Sequence, residues 1–245
     1  MKARDPIQDA NQEMNQGNDR RVFLHTFGPA AAGATLAAGL SASGRRRQEE
    51  QREKEGVSTN EDLMREHGLL KRLLLLYEEI IRRIQAKQDF PPQTVTDAAT
   101  IIHKFIEDYH EKLEEDHLFP RFRKAGKLTE LVDVLAQQHQ AGRQVTERVL
   151  AAVPSPKTAE DRGKLSADLS AFVRMYALHE ARDDTVLFPE LPKVVSPHEY
   201  DALGEQFDKI EQQIFGGDGF YIYLDKVTVI EKHLGIYDLS QFTPR

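Results

Sequence analysis

From Ser58 onward the apolar residues return every three or four positions, which is the period of an amphipathic helix. Ser58-Thr59-Asn60-Glu61 forms a capping box, and Leu63, Leu69, Leu70, Leu73, Leu74, Tyr77, Ile80, Ile81 and Ile84 then carry one helix to a stop at Pro91-Pro92. A second helix is predicted from about Thr94 into Phe122, on Ile101, Ile102, Phe105, Ile106, Tyr109 and Leu113, with Gly126 ending it. The third spans about Thr129 to Ala152 and is closed by Pro154-Ser155-Pro156, and the fourth runs from near Thr158 past Leu187. Ser196-Pro197-His198-Glu199 opens a shorter fifth helix that fades at Gly216-Gly217-Asp218-Gly219. In the remaining tail, the helix candidate is Lys226 to Leu234. No strand-period segment interrupts residues 58–215. The pattern therefore predicts an all-α protein: an antiparallel up-and-down four-helix bundle with a short fifth helix and a C-terminal tail.

Histidines interrupt the apolar faces in an ordered way. Each long helix carries one in its apolar stripe: His67, His110, His139 and His179. Two of them head near-copies of one string, running from His110 to Leu118-Phe119-Pro120 and from His179 to Leu187-Phe188-Pro189. His67 precedes His110 by 43 positions and His139 precedes His179 by 40, so the bundle reads as a duplicated helical hairpin. Each half offers one histidine, then a histidine with a carboxylate four residues on, Glu114 or Asp183. That step places both side chains on one helix face about 6 Å apart, within reach of a single metal ion. Chance alone would give about 1.5 such pairs in a chain of this composition, so the duplication and the shared phase carry the argument. Burying so many ionisable groups without a metal would also be costly.

Composition narrows the chemistry further. The 245 residues contain nine histidines and no cysteine, which excludes thiolate zinc sites, iron–sulfur clusters and cysteine nucleophiles; any metal is held by nitrogen and oxygen. A net charge of −7 argues against nucleic acid as a partner. No apolar run is long enough for a membrane-spanning helix. Four imidazoles and two carboxylates suit two adjacent iron ions (Fe2+/Fe3+) bridged by the carboxylates and by oxygen species, with manganese or zinc as alternatives. Ferritin-like di-iron sites use four carboxylates; two leave the centre cationic and favour the diferrous form, with oxygen bound rather than split.

The N-terminal segment is of another kind. Residues 1–44 resemble a twin-arginine export signal: Arg20-Arg21, then Phe23-Leu24, a weakly apolar Ala/Gly-rich stretch from Phe27 to Ala42, and small residues at Ser41-Ala42-Ser43. Residues 45–57 are charged and lack core-forming side chains, as a linker would. The expected organisation is a signal at 1–44, a linker at 45–57, the bundle at 58–192 and an extension at 193–245. The protein would then be exported, to the periplasm of a bacterium.

Over residues 60 to 192 the chain resembles the hemerythrin-like (HHE) cation-binding family. It has a His on helix one, His-x-x-x-Glu with Leu-Phe-Pro on helix two, a His on helix three and His-x-x-x-acid with Leu-Phe-Pro on helix four. The resemblance implies that His67, His110, Glu114, His139, His179 and Asp183 are metal ligands, with Glu114 and Asp183 as bridges. The oxygen carriers of the family have a second histidine one turn from the helix-three ligand, where this chain has Arg143. One metal position is thus a nitrogen short, with Glu111 or Glu180 as possible additional ligands, and Asp184 competes with Asp183 for the helix-four role. Tyr176 is expected in the surrounding shell, where its hydroxyl could reach a bound ligand. The implied function is reversible binding of dioxygen or nitric oxide. The rivals are a di-iron oxidase or peroxidase, and a metal store without gas chemistry.

Overall fold

The computed structural model describes residues 57–152 and 158–244. The expected export signal, all of the expected linker but its last residue and the Pro154-Ser155-Pro156 stop lie outside the described residues. Four long helices form the bundle. α1 spans Thr59–Gln85 and starts on Ser58, whose hydroxyl accepts from the Glu61 amide. α2 covers residues 92–125 and ends at Gly126, whose φ of 63° is the left-handed conformation that suits glycine. α3 spans Thr129–Ala152, and α4 covers residues 159–194 from a complete capping box between Thr158 and Asp161. The predicted all-α bundle is the observed fold, with no strand among the described residues.

Two features differ from the sequence reading. The second and fourth helices leave regular α geometry just before their Leu-Phe-Pro prolines, which the helical period does not predict. Glu114–Leu118 and Asp183–Leu187 are π-helical, and α-helix resumes at Phe119–Ala125 and Phe188–Val194. Each proline therefore sits in the first turn of the resumed helix, where its missing N–H costs little. A longer π stretch, Ile102–His110, precedes the first string. The tail also holds more helix than its pattern predicts. After α5, Pro197–Phe215, a sixth helix α6 runs over Gly219–Leu234, started by the Asp218 side chain, which accepts from the Tyr221 amide. It packs on α1, where Arg72 bonds both Glu231 oxygens and Thr228, and Arg83 reaches the Leu234 carbonyl. No described helix is long and apolar enough to cross a membrane.

The core has two layers. At the far end of the bundle it is apolar, built from residues such as Leu73, Ile80, Val95, Val149, Leu165 and Leu169, all buried. Toward the N-terminal half of α1 the same helices bury His67, His110, Glu114, His139, His179 and Asp183, none more than 3% exposed.

Candidate metal centre

The four histidines meet as two pairs. His67 and His110 face each other with Nε2 atoms 2.9 Å apart, and His139 and His179 do so at 3.1 Å. Every Nδ1 turns outward to an acceptor: His67 to Asp184 at 2.7 Å, His110 to Glu66 at 2.6 Å, His139 to Glu115 at 3.1 Å and His179 to the Gln138 side-chain oxygen at 2.9 Å. These partners place a proton on Nδ1 and leave Nε2 as the inward lone pair. Lone pairs opposed at such a distance repel, unless one ring takes a second proton or a cation lies between them.

Glu114 stands between the two pairs, with Oε1 3.8 Å from His110 Nε2 and Oε2 3.2 Å from His139 Nε2. Asp183 Oδ2 lies 3.1 Å from His179 Nε2. All four oxygens of Glu114 and Asp183 are buried without a well-formed hydrogen bond. A carboxylate with no donor at such depth is costly unless a cation compensates it. The donor set therefore fits a metal: His67, His110 and Glu114 form one compact cluster, and Glu114, His139 and His179 form another.

The electrostatics of the metal-free chain agree. Burial alone would lower the pKa of His139, but Glu111, Glu114 and Glu115 around it raise it to about 10. Burial would raise Glu114, yet His139, His110 and His67 bring it down to about 2. Burial and the neighbouring His139 charge push His179 down to about 3, while burial and the Glu114 charge push Asp183 well above the carboxylate range. A proton on His139 and one on Asp183 thus stand where a cation would act, and an incoming ion must displace them.

The other expected residues are placed as follows. Glu111 accepts from the Tyr176 hydroxyl at 2.5 Å and pairs with Arg143 at 2.7 Å; burial raises its pKa to about 7. It forms a third cluster with Glu115 and His139, but the Arg143 guanidinium already lies 2.7–2.8 Å from both of those carboxylates. Tyr176 reaches Glu111 because Gly142 leaves room: a Cβ at Gly142 would stand 2.1 Å from the phenol oxygen. Glu180 pairs with Lys71 at 3.4 Å, and Asp184 is turned outward to His67 rather than into the centre. His103, two turns before His110, is half exposed and bonds Glu107.

Several partners were not singled out from the sequence: Glu66, Gln138 and Glu115, together with the stacking of Phe188 on His67 and of Phe119 on His139. A signal for them existed. Extended outward, the duplication sets Glu66 against Gln138 before the single histidines, Glu115 against Asp184 after the carboxylates, and Lys71 against Arg143 one turn on. The π turns accommodate this, since in each copy the i+4 carboxylate points inward while the i+5 carboxylate holds a histidine of a neighbouring helix.

Comparison with known proteins points to the same family as the sequence resemblance. The profile of the Hemerythrin HHE cation binding domain matches residues 58–191. An uncharacterized protein of Mycobacterium tuberculosis and one of Mycobacterium bovis are each 51% identical over 190 residues, covering 77% of this chain and 74% of theirs. No solved structure gives a significant match.

Proposed function

The chain belongs to the hemerythrin HHE cation-binding family, and from that premise we propose that it is a non-haem di-iron protein that binds dioxygen, or nitric oxide, reversibly for carriage, storage or sensing. The observation that carries this reading is the pair of facing Nε2 couples with the donorless Glu114 between them and Asp183 beside them. His67 and His110 would hold one ion and His139 and His179 the other, with Glu114 and Asp183 as the carboxylates they share. Six protein ligands for two ions leave positions open, which suits iron better than a closed structural zinc site. Bound ferrous iron would supply the electrons and the open positions for a diatomic ligand.

The chain's own residues do the rest. The outer acceptors fix each imidazole in one tautomer and one orientation. Phe119 and Phe188 wall the site with apolar rings and keep water from it. Arg143 neutralises Glu111 and Glu115, so neither competes freely for the ions. Two carboxylates against two divalent ions keep the centre cationic, which favours the reduced state.

The rival reading, turnover of peroxide or a small oxidase activity, draws on one feature: the buried Tyr176–Glu111 hydrogen bond, a proton source beside the centre. One experiment separates the readings. The purified protein is assayed for bound metals, reduced without oxygen, and then exposed to oxygen while its visible spectrum is recorded. Two irons and an absorption that disappears when oxygen is withdrawn support the carrier. Irreversible bleaching with product formation supports the enzyme, and stoichiometric zinc with no visible spectrum overturns both. As part of the same proposal, the twin-arginine-like segment would direct the folded, metal-loaded protein to the periplasm; deleting residues 1–44 should leave it inside the cell.

A further inference from the structure

The two metal positions are related by the internal duplication, yet their surroundings differ in charge. At the first, both histidines lean on carboxylates: His67 on Asp184 at 2.7 Å and His110 on Glu66 at 2.6 Å. At the second, His179 leans on the neutral amide of Gln138. The carboxylate behind His139, Glu115, is the longer contact at 3.1 Å, and the Arg143 guanidinium lies 2.8 Å from the same oxygen. The counterpart of Arg143 is Lys71, which sits farther from its acid, Glu180, at 3.4 Å, and is half exposed to solvent that screens it. A carboxylate behind an imidazole raises the basicity of the nitrogen that binds metal and an amide does so far less, so the difference between the positions falls on His179, while His139 keeps the carboxylates around it.

Resting on the di-metal reading above, we propose that the two positions are unequal, that the His67/His110 position holds its ion more tightly and the His139/His179 position releases its ion first, and that Gln138 sets the difference. The chain then passes through a stable one-ion form, and the second position is the one that exchanges metal with its surroundings. Partners behind metal-binding histidines are worth about ten- to hundredfold in affinity, which sets the expected interval between the two positions.

The test loads the full-length chain with two equivalents of Mn2+, raises the concentration of a chelator, and follows ion count by native mass spectrometry and Mn2+ coupling by electron paramagnetic resonance. The expected result is two losses separated by about ten- to hundredfold in chelator, through a one-ion species with an uncoupled signal. Gln138→Glu should delay the first loss and leave the second in place, and Glu66→Gln should advance the second. His139→Ala should keep the tightly held ion, whereas His67→Ala should keep only the easily lost one. Loss of both ions in a single step, an interval unmoved by Gln138→Glu, or the reverse order in the histidine variants overturns the proposal. A chain that takes up no metal refutes the di-metal reading itself; two ions held equally refute only the inequality.

Discussion

The same four helices build two layers of opposite character. At the far end, residues such as Leu73, Val149, Leu169 and Phe172 interlock through apolar side chains. A few turns away the layer of His67, His110, His139 and His179 is as deeply buried, but it opposes nitrogen lone pairs and leaves four carboxylate oxygens without donors. The contrast teaches which part folds the chain and which part is held in readiness. Apolar burial at about 25 cal/mol per Å² stabilises the first layer outright. The second is unfavourable until a cation arrives, so its geometry is imposed by packing around it and by the outer acceptors Glu66, Gln138, Glu115 and Asp184.

The contrast is broken most severely from the apolar side. Phe172 is 1% exposed and packs its ring against Tyr77 and Tyr176 at 5.7 and 4.4 Å. Phe172→Ala should cost about 3–5 kcal/mol in urea unfolding, by a similar amount with and without metal, because the loss is of packing. A cost confined to the metal-loaded form would mean that the two layers are not independent.

From the polar side the effect should depend wholly on metal. Metal at a hundred to a thousand times its dissociation constant stabilises a folded chain by about 2.7–4.1 kcal/mol, and chelation should remove that increment. Glu114→Gln keeps the shape but loses the charge placed between both histidine pairs. Its unfolding midpoint should become indifferent to chelator, while metal-free stability stays close to that of the parent. The increment should also depend on pH. His139 is held protonated up to about 10, so metal must displace that proton, and affinity should rise about tenfold per pH unit below that value for the proton displaced. A flat profile between pH 6 and 8 would contradict the assignment of that proton.

Between the layers lies the Gly142 notch. Gly142→Ala would drive a methyl group into the Tyr176 hydroxyl, 2.1 Å away, and break its bond to Glu111. Overpacking of this kind costs about 1–3 kcal/mol. Tyr176→Phe removes the same hydrogen bond without the clash. If Gly142→Ala and Tyr176→Phe lower stability equally, the hydrogen bond and not the space is what the glycine protects.

Much of this arrangement could be read from the chain, for physical reasons that also explain the gaps. The helical period and the duplicated strings are local patterns, so the four helices and the inward histidines were legible. The π turns were not, because an i to i+5 hydrogen bond leaves no mark in composition. Gly219 and the aromatic and β-branched run from Phe220 to Tyr223 read as tail, since their intrinsic helix preference is weak. Packing on α1, with Arg72 held by Glu231, overrides that preference. Gln138 and Glu66 lie outside the matching strings and differ in charge, so their shared place before the single histidines is a weak mark until the contacts of His179 and His110 give it meaning.

The smallest effect is the sharpest control on the boundary of the polar layer. His103 lies on the same helix as His110, seven positions earlier, and shares its residue type with the four inward rings. Its side chain is half exposed, and its Nδ1 bonds Glu107 at 3.1 Å instead of facing another imidazole. Removing it opens no cavity and leaves no lone pair of the centre unopposed. His103→Ala should therefore leave the metal count at its parental value and change stability by no more than about 0.5 kcal/mol, whereas His110→Ala should abolish metal uptake. Equal loss of metal in the two variants would show that the layer extends beyond the four facing rings, through Glu107, to the surface.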